Sequence, residues 1–186
     1  METNLKHLIE DIKRARNNFV DLIKMLTTEQ INFKPSSEEW SILEITEHLV
    51  WAEQIGVCGM FTAIEGIKNN KPVWTGKSTN DGLTIEQIVE KTWQPKEIVP
   101  DVAKPRWGGS IFYWISSLEN CQNILTFLQT YIVGINPEIA IYPHPISGPM
   151  NVNQRLQFLR FHLERHQKQL ERVKNHSDYP NRYKAI

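Results

Sequence analysis

The chain has 186 residues, 40% of them hydrophobic, and its 21 Lys+Arg balance 21 Asp+Glu. That composition fits one globular domain over residues 1–186 and excludes disordered and collagen-like classes. A net charge of zero argues against nucleic acid as the main partner, because phosphate binding draws on excess cationic charge.

The N-terminal residues Glu2, Lys6, Glu10, Asp11, Lys13 and Arg14 are incompatible with the apolar core of a secretory signal. The longest uncharged run, Asn120 to Pro137, is interrupted by Gln122, Asn123, Thr126 and Gln129, so no membrane span is expected. Cys58 and Cys121 are far apart and read as reduced core or spectator thiols, which fits a cytoplasmic protein.

From Leu5, apolar residues at Leu8, Ile9, Ile12, Ala15, Phe19, Leu22, Ile23 and Leu26 recur at three- and four-residue steps and predict a long first helix. A turn around Pro35 follows. Ser41 and Glu44 have capping-box spacing and open a second helix that ends before Pro72. On it Ile45, His48, Leu49 and Ala52 share one stripe, which turns His48 inward, while Trp51 lies on another flank. Residues 72–109 are irregular, with a short helix expected from Thr84 to about Trp93 and prolines 95, 100 and 105 forbidding anything long beyond it. Trp74, Trp93, Arg106 and Trp107 make this stretch either a binding loop or an aromatic cover for one end of the core.

Ile111, Trp114, Ile115, Leu118, Leu125, Leu128 and Ile132 predict a third long helix, stopped by Gly134 and Pro137. The proline-rich segment 142–150 reads as a rigid turn, with Asn151 or Asn153 as N-cap of a last helix. There Leu156, Leu159, Leu163, His166, Leu170 and Val173 face inward, with His162 one step to the side. The polar tail after His176 is expected to fray. With no strand pattern competing, the fold class is all-α, an antiparallel four-helix bundle with crossover connections.

Residues four apart share a helix face, so His162 and His166 can hold one ion together. Two imidazoles do not close a site, and His48 is the candidate third ligand; each histidine could instead satisfy a buried carbonyl. Glu47 and Glu164 adjoin ligands and could orient an imidazole, but chain neighbours diverge on a helix, so solvated surface charge is the expectation for both. Arg106 could bind a substrate carboxylate or the acidic groups of a thiol cofactor, or be surface charge; His144 could border the pocket or brace its turn.

Three stretches carry a resemblance: Trp40 to Leu49, the His144-Pro145-Ile146-Ser147-Gly148-Pro149-Met150 turn, and His162-x-x-x-His166 followed by Gln169. Together they resemble the DinB-like (YfiT-like) superfamily of metal-dependent enzymes over nearly the whole chain. The resemblance implies a four-helix bundle holding a divalent ion, nickel or zinc, on His48, His162 and His166, with His144 at the pocket edge. It also implies a low-molecular-weight thiol as co-substrate, since members with assigned activities include thiol S-transferases and a mycothiol-dependent isomerase. The expected function is therefore transfer of such a thiol to an electrophilic small molecule, with two alternatives: hydrolysis by activated water, or a non-catalytic binding bundle. A homodimer is the default assembly.

Overall fold

In the computed structural model, residues 2–93 and 99–180 are described. Four long helices form the body: α1 (Glu2–Asp21), α3 (Ile42–Lys68), α5 (Ile111–Tyr131) and α6 (Val152–Lys174). Shorter elements are α2 (Thr28–Asn32), α4 (Ile85–Thr92), a 3₁₀ turn at Asp101–Ala103, and strands β1 (Ile141–His144) and β2 (Gly148–Asn151).

Each cap expected from sequence is built as its chemistry requires. Ser41 accepts from the Glu44 amide at 3.2 Å while Glu44 accepts from Ser41 at 2.8 Å. Thr84 with Gln87 and Asn151 with Gln154 repeat the arrangement at α4 and α6. Apolar faces then close on one another: Ile12, Phe19, Ile42, Ile45, Leu49, Ile64, Trp114, Leu118, Leu125, Leu156 and Leu170 are almost fully buried in one cluster. α1 packs on α5 and α6, and α3 packs on the same two helices.

Pairings along the helices give their directions. His48 meets His162 and His166 while Gly56 meets Arg155 and Leu159, so α3 and α6 are antiparallel. Trp51 meets Trp114, and Phe61 meets Phe127 and Tyr131, so α3 and α5 run the same way. Parallel neighbours require the chain to return along the whole of α3, whose 27 residues span roughly 40 Å. The long segment between Lys68 and Ile111 makes that return and brings residues 100–109 back to the His48 end.

Three expectations are corrected. The first helix ends at Asp21 rather than Leu26, and α2, with its own Thr27–Gln30 capping box, follows it. The turn at 142–150 is a β-hairpin, pairing Tyr142 with Met150 and His144 with Gly148; the two prolines, 143 and 149, lie opposite each other, where neither needs a ladder donor. Ser78 and Asn80 of the crossover fasten that hairpin by donating to the carbonyls of Ser147 and Pro149 at 2.6–3.0 Å. The tail is also docked as far as Pro180: Tyr179 is buried against Phe33, and Gln30 donates to the Pro180 carbonyl at 2.8 Å. Residues 181–186 of the expected frayed tail, and Pro95 of the crossover, lie outside the described residues.

Gly59 marks the closest approach of hairpin to helix, since a Cβ there would stand 2.7 Å from Cδ1 and 3.0 Å from Cε1 of Tyr142. Gly59→Ala should therefore destabilise the protein by roughly 1–3 kcal/mol through overpacking. Urea denaturation checks this, and the cost should shrink when the same change is made in a Tyr142→Ala background.

Candidate metal centre

His48 stands on the second turn of α3, on the face that meets α6, where His162 and His166 occupy successive turns. The antiparallel packing brings the three rings together. His162 Nε2 lies 3.2 Å from His48 Nε2 and 3.1 Å from His166 Nε2. Metal–imidazole bonds of about 2.0–2.1 Å place neighbouring ligand nitrogens roughly 3.0 Å apart at a right angle and 3.4 Å apart at the tetrahedral angle. The observed spacings fall inside that interval.

On two of the rings the other nitrogen is spoken for. His48 Nδ1 donates to the Ala103 carbonyl at 2.8 Å, and His166 Nδ1 donates to Gln169 Oε1 at 2.8 Å. With their protons held there, Nε2 of both rings presents a lone pair to the centre. Burial lowers the pKa of His48 to about 4, the Ala103 bond opposing it. Burial also takes His162 and His166 well below the ordinary histidine value, neighbouring imidazoles adding to the effect. Converging lone pairs on neutral, buried rings repel each other unless a cation lies between them, so the donor set fits a divalent ion.

Aromatic rings wall the centre. Trp40 lies 4.9 Å from the His48 ring and stacks at 6.4 Å on His166. Phe158 stacks on His162 at 5.9 Å, and Trp93 covers Phe158 edge-on at 5.3 Å.

The sequence of a family model described as the DinB superfamily matches residues 11–170. The chain belongs to the DinB superfamily. YuaE, an uncharacterized protein of Bacillus subtilis (strain 168), is 26% identical to it over 161 residues, covering 82% of this chain and 88% of that protein. No solved structure matches it. No helix among the described residues of this DinB-superfamily chain is long and apolar enough to cross a membrane.

The other candidate residues lie outside the cluster of three imidazoles. Arg106 is exposed; its guanidinium lies 4.5 Å over the Trp51 ring and donates to the Lys104 carbonyl at 3.2 Å. His144 Nδ1 accepts from the amides of Ile146 and Ser147 at 3.2 and 2.9 Å, inside the hairpin turn. Glu164 is partly exposed and pairs with Arg160 at 2.9 Å. Cys121 is buried, which pushes its thiol up to about 12, and Cys58 is exposed.

Glu47 overturns the surface-charge reading. It is fully buried and makes no hydrogen bond to an imidazole of the described residues; its carboxylate accepts from the amides of Arg106, Trp107 and Gly108 at 2.7, 2.8 and 2.9 Å and from the Trp51 indole at 3.2 Å. Gly108 and Gly109 both have left-handed φ, +61° and +86°, which lets the returning chain curl its amides around the carboxylate. Burial would raise the Glu47 pKa, but the three backbone bonds and the indole outweigh it and hold it below the usual carboxylate value. The loop so pinned is the one whose Ala103 carbonyl orients His48. Helix periodicity carries no signal for this, because the burial comes from a segment some sixty residues away; the Gly-Gly pair is the one local hint of close backbone approach.

Glu47→Ala leaves those amides without their acceptor and should cost on the order of 2–3 kcal/mol in denaturant unfolding. Because the folded pKa is depressed, the contribution of Glu47 is fully present above the unfolded value of about 4.3 and is lost as pH falls through the folded value. Glu47→Gln should flatten that part of the stability–pH curve, which acid unfolding of the two proteins side by side measures.

Proposed function

We propose that this chain is a metal-dependent enzyme that joins a low-molecular-weight thiol to an electrophilic carbon of a small molecule, with His48, His162 and His166 as the ligands of a nickel or zinc ion. The observation that carries the reading is the convergence of three Nε2 atoms, two of them freed by partners on Nδ1. Three neutral ligands leave the charge of the ion uncancelled, and such an ion lowers the pKa of a bound thiol or water toward neutrality.

The chain's own residues supply the rest. Ala103 and Gln169 fix the orientation of two imidazoles. Trp40, Phe158 and Trp93 keep the surroundings apolar, which strengthens electrostatic interactions at the centre. No carboxylate of the described residues joins the cluster. We take the whole chain as one domain acting on a soluble small molecule, with Arg106 outside the centre and His144 at its border.

Protein purified without an affinity metal column should contain about one nickel or zinc per chain by elemental analysis, and His162→Ala combined with His166→Ala should remove it. Retention of the ion by that double variant would overturn the reading. Turnover of electrophiles should require added thiol; turnover of esters or amides indifferent to thiol would assign the same centre to hydrolysis instead.

A further inference from the structure

Among the described residues two arginines are buried, and their surroundings differ. Arg16 of α1 is ion-paired with Glu53 of α3 and donates to Gln122 of α5 at 2.6 Å. Arg155 of α6 is 5% exposed, and no carboxylate, carbonyl or hydroxyl of the described residues accepts a hydrogen bond from it; its Nη1 is wholly buried without a partner. Its guanidinium lies over Gly56, where a Cβ would come 3.4 Å from Nη2, and 5.5 Å from the centre of the Phe158 ring. Burial draws its pKa down to about 10, with Tyr142 opposing. A buried charge without a counter-charge is among the most costly features a core can hold.

A second donor stands nearby. His144 Nδ1 accepts two backbone amides, so its neutral ring carries the proton on Nε2, and the described residues offer that N–H no acceptor. The His144 ring lies 4.6 Å from Phe158, the ring that also underlies Arg155 and stacks on His162. Burial and the charge of Arg155 keep His144 neutral, with its pKa down to about 3. On α6, Arg155, Phe158 and His162 follow one another at steps of three and four, on one face. Seven residues of helix separate Arg155 from His162 by roughly 10 Å.

We propose that Arg155, assisted by the Nε2–H of His144, is an anion subsite that receives a carboxylate of the small molecule presented to the histidine triad, whose reacting end lies on the order of 10 Å away. The link to the triad rests on the function proposed above. A planar guanidinium matches a carboxylate in shape and in charge, one against one, whereas a phosphate dianion would leave net negative charge buried among Phe158, Leu159 and Tyr142. An arginine kept for the fold alone has its counter-charge built in, as Arg16 does; Arg155 has the geometry of a group awaiting one.

The test is the melting temperature of the purified full-length protein in sodium acetate, inorganic phosphate and sodium chloride at equal ionic strength. Acetate should raise it saturably by about 2–5 °C relative to chloride, as binding to the folded state alone requires. The shift should persist in the His162→Ala/His166→Ala double variant and disappear in Arg155→Met, which should melt in chloride at or above the wild-type temperature because it removes an uncompensated charge. Arg155→Lys should keep a reduced shift. An equal acetate shift in Arg155→Met, no shift in the wild type, a shift with phosphate alone, or an Arg155→Met protein that melts lower in chloride would each overturn the proposal. None of these readouts depends on metal content or turnover, so failure of the proposed activity is distinguishable from failure of the subsite.

Discussion

Because α3 and α5 lie side by side and point the same way, the chain leaving α3 must travel back along its full length before α5 can begin. The setting of His48 follows from where that return ends. Residues 103–108 arrive beside the second turn of α3, and there Glu47 binds the amides of Arg106, Trp107 and Gly108 while His48 binds the Ala103 carbonyl. Two consecutive helix residues thus hold one loop by opposite chemistry, an acceptor and a donor. The loop closes one side of the bundle, and in exchange His48 acquires a fixed ring orientation. A shorter connection would need α5 reversed, and the Ala103 carbonyl would no longer be at hand.

Much of this was legible in the sequence because it is local or periodic. Capping pairs such as Ser41 with Glu44, and the inward stripe from Leu156 to Val173, depend on spacing alone, and the structure builds them as spaced. The approach of His48 to His162 and His166 followed from stripes on two helices that face a common core. What spacing could not convey is non-local. The hairpin at 141–151 is hidden by Pro143 and Pro149, which look like strand breakers until their mutual pairing on a two-stranded ribbon removes the demand for their missing amides. Glu47 looks solvated from its own helix and is buried by a loop sixty residues on; Tyr179 looks like tail and is held by Phe33.

The buried charges obey the same distinction. Arg16, Glu53 and Gln122 come from α1, α3 and α5, so their network ties three helices in one register. Burying an ion pair is at best weakly stabilising relative to apolar packing. Its effect is therefore on which arrangement of helices is tolerated: any sliding that parts Arg16 from Glu53 strands two charges in the core. Cys121, next to Gln122 in the chain, is buried in the same region, and its suppressed ionisation follows from burial first and from the Glu53 carboxylate second. Thiol chemistry by this cysteine is thus unfavourable at neutral pH.

His48 also resolves an opposition that the sequence left open, between an imidazole that satisfies a buried carbonyl and one that binds an ion. The two are the same arrangement seen from opposite edges of the ring. Donation from Nδ1 to Ala103 fixes the tautomer, and fixing the tautomer is what aims the Nε2 lone pair at its counterparts on α6. His166 repeats the logic with Gln169 in place of a backbone carbonyl. The difference between those partners matters: Ala103 belongs to the returning loop and Gln169 to α6 itself, three residues along. Orientation of His166 therefore survives any rearrangement that leaves the helix intact, whereas orientation of His48 holds only while Glu47 keeps the loop in place. Of the two imidazoles oriented through Nδ1, His48 is the one whose aim the crossover can adjust.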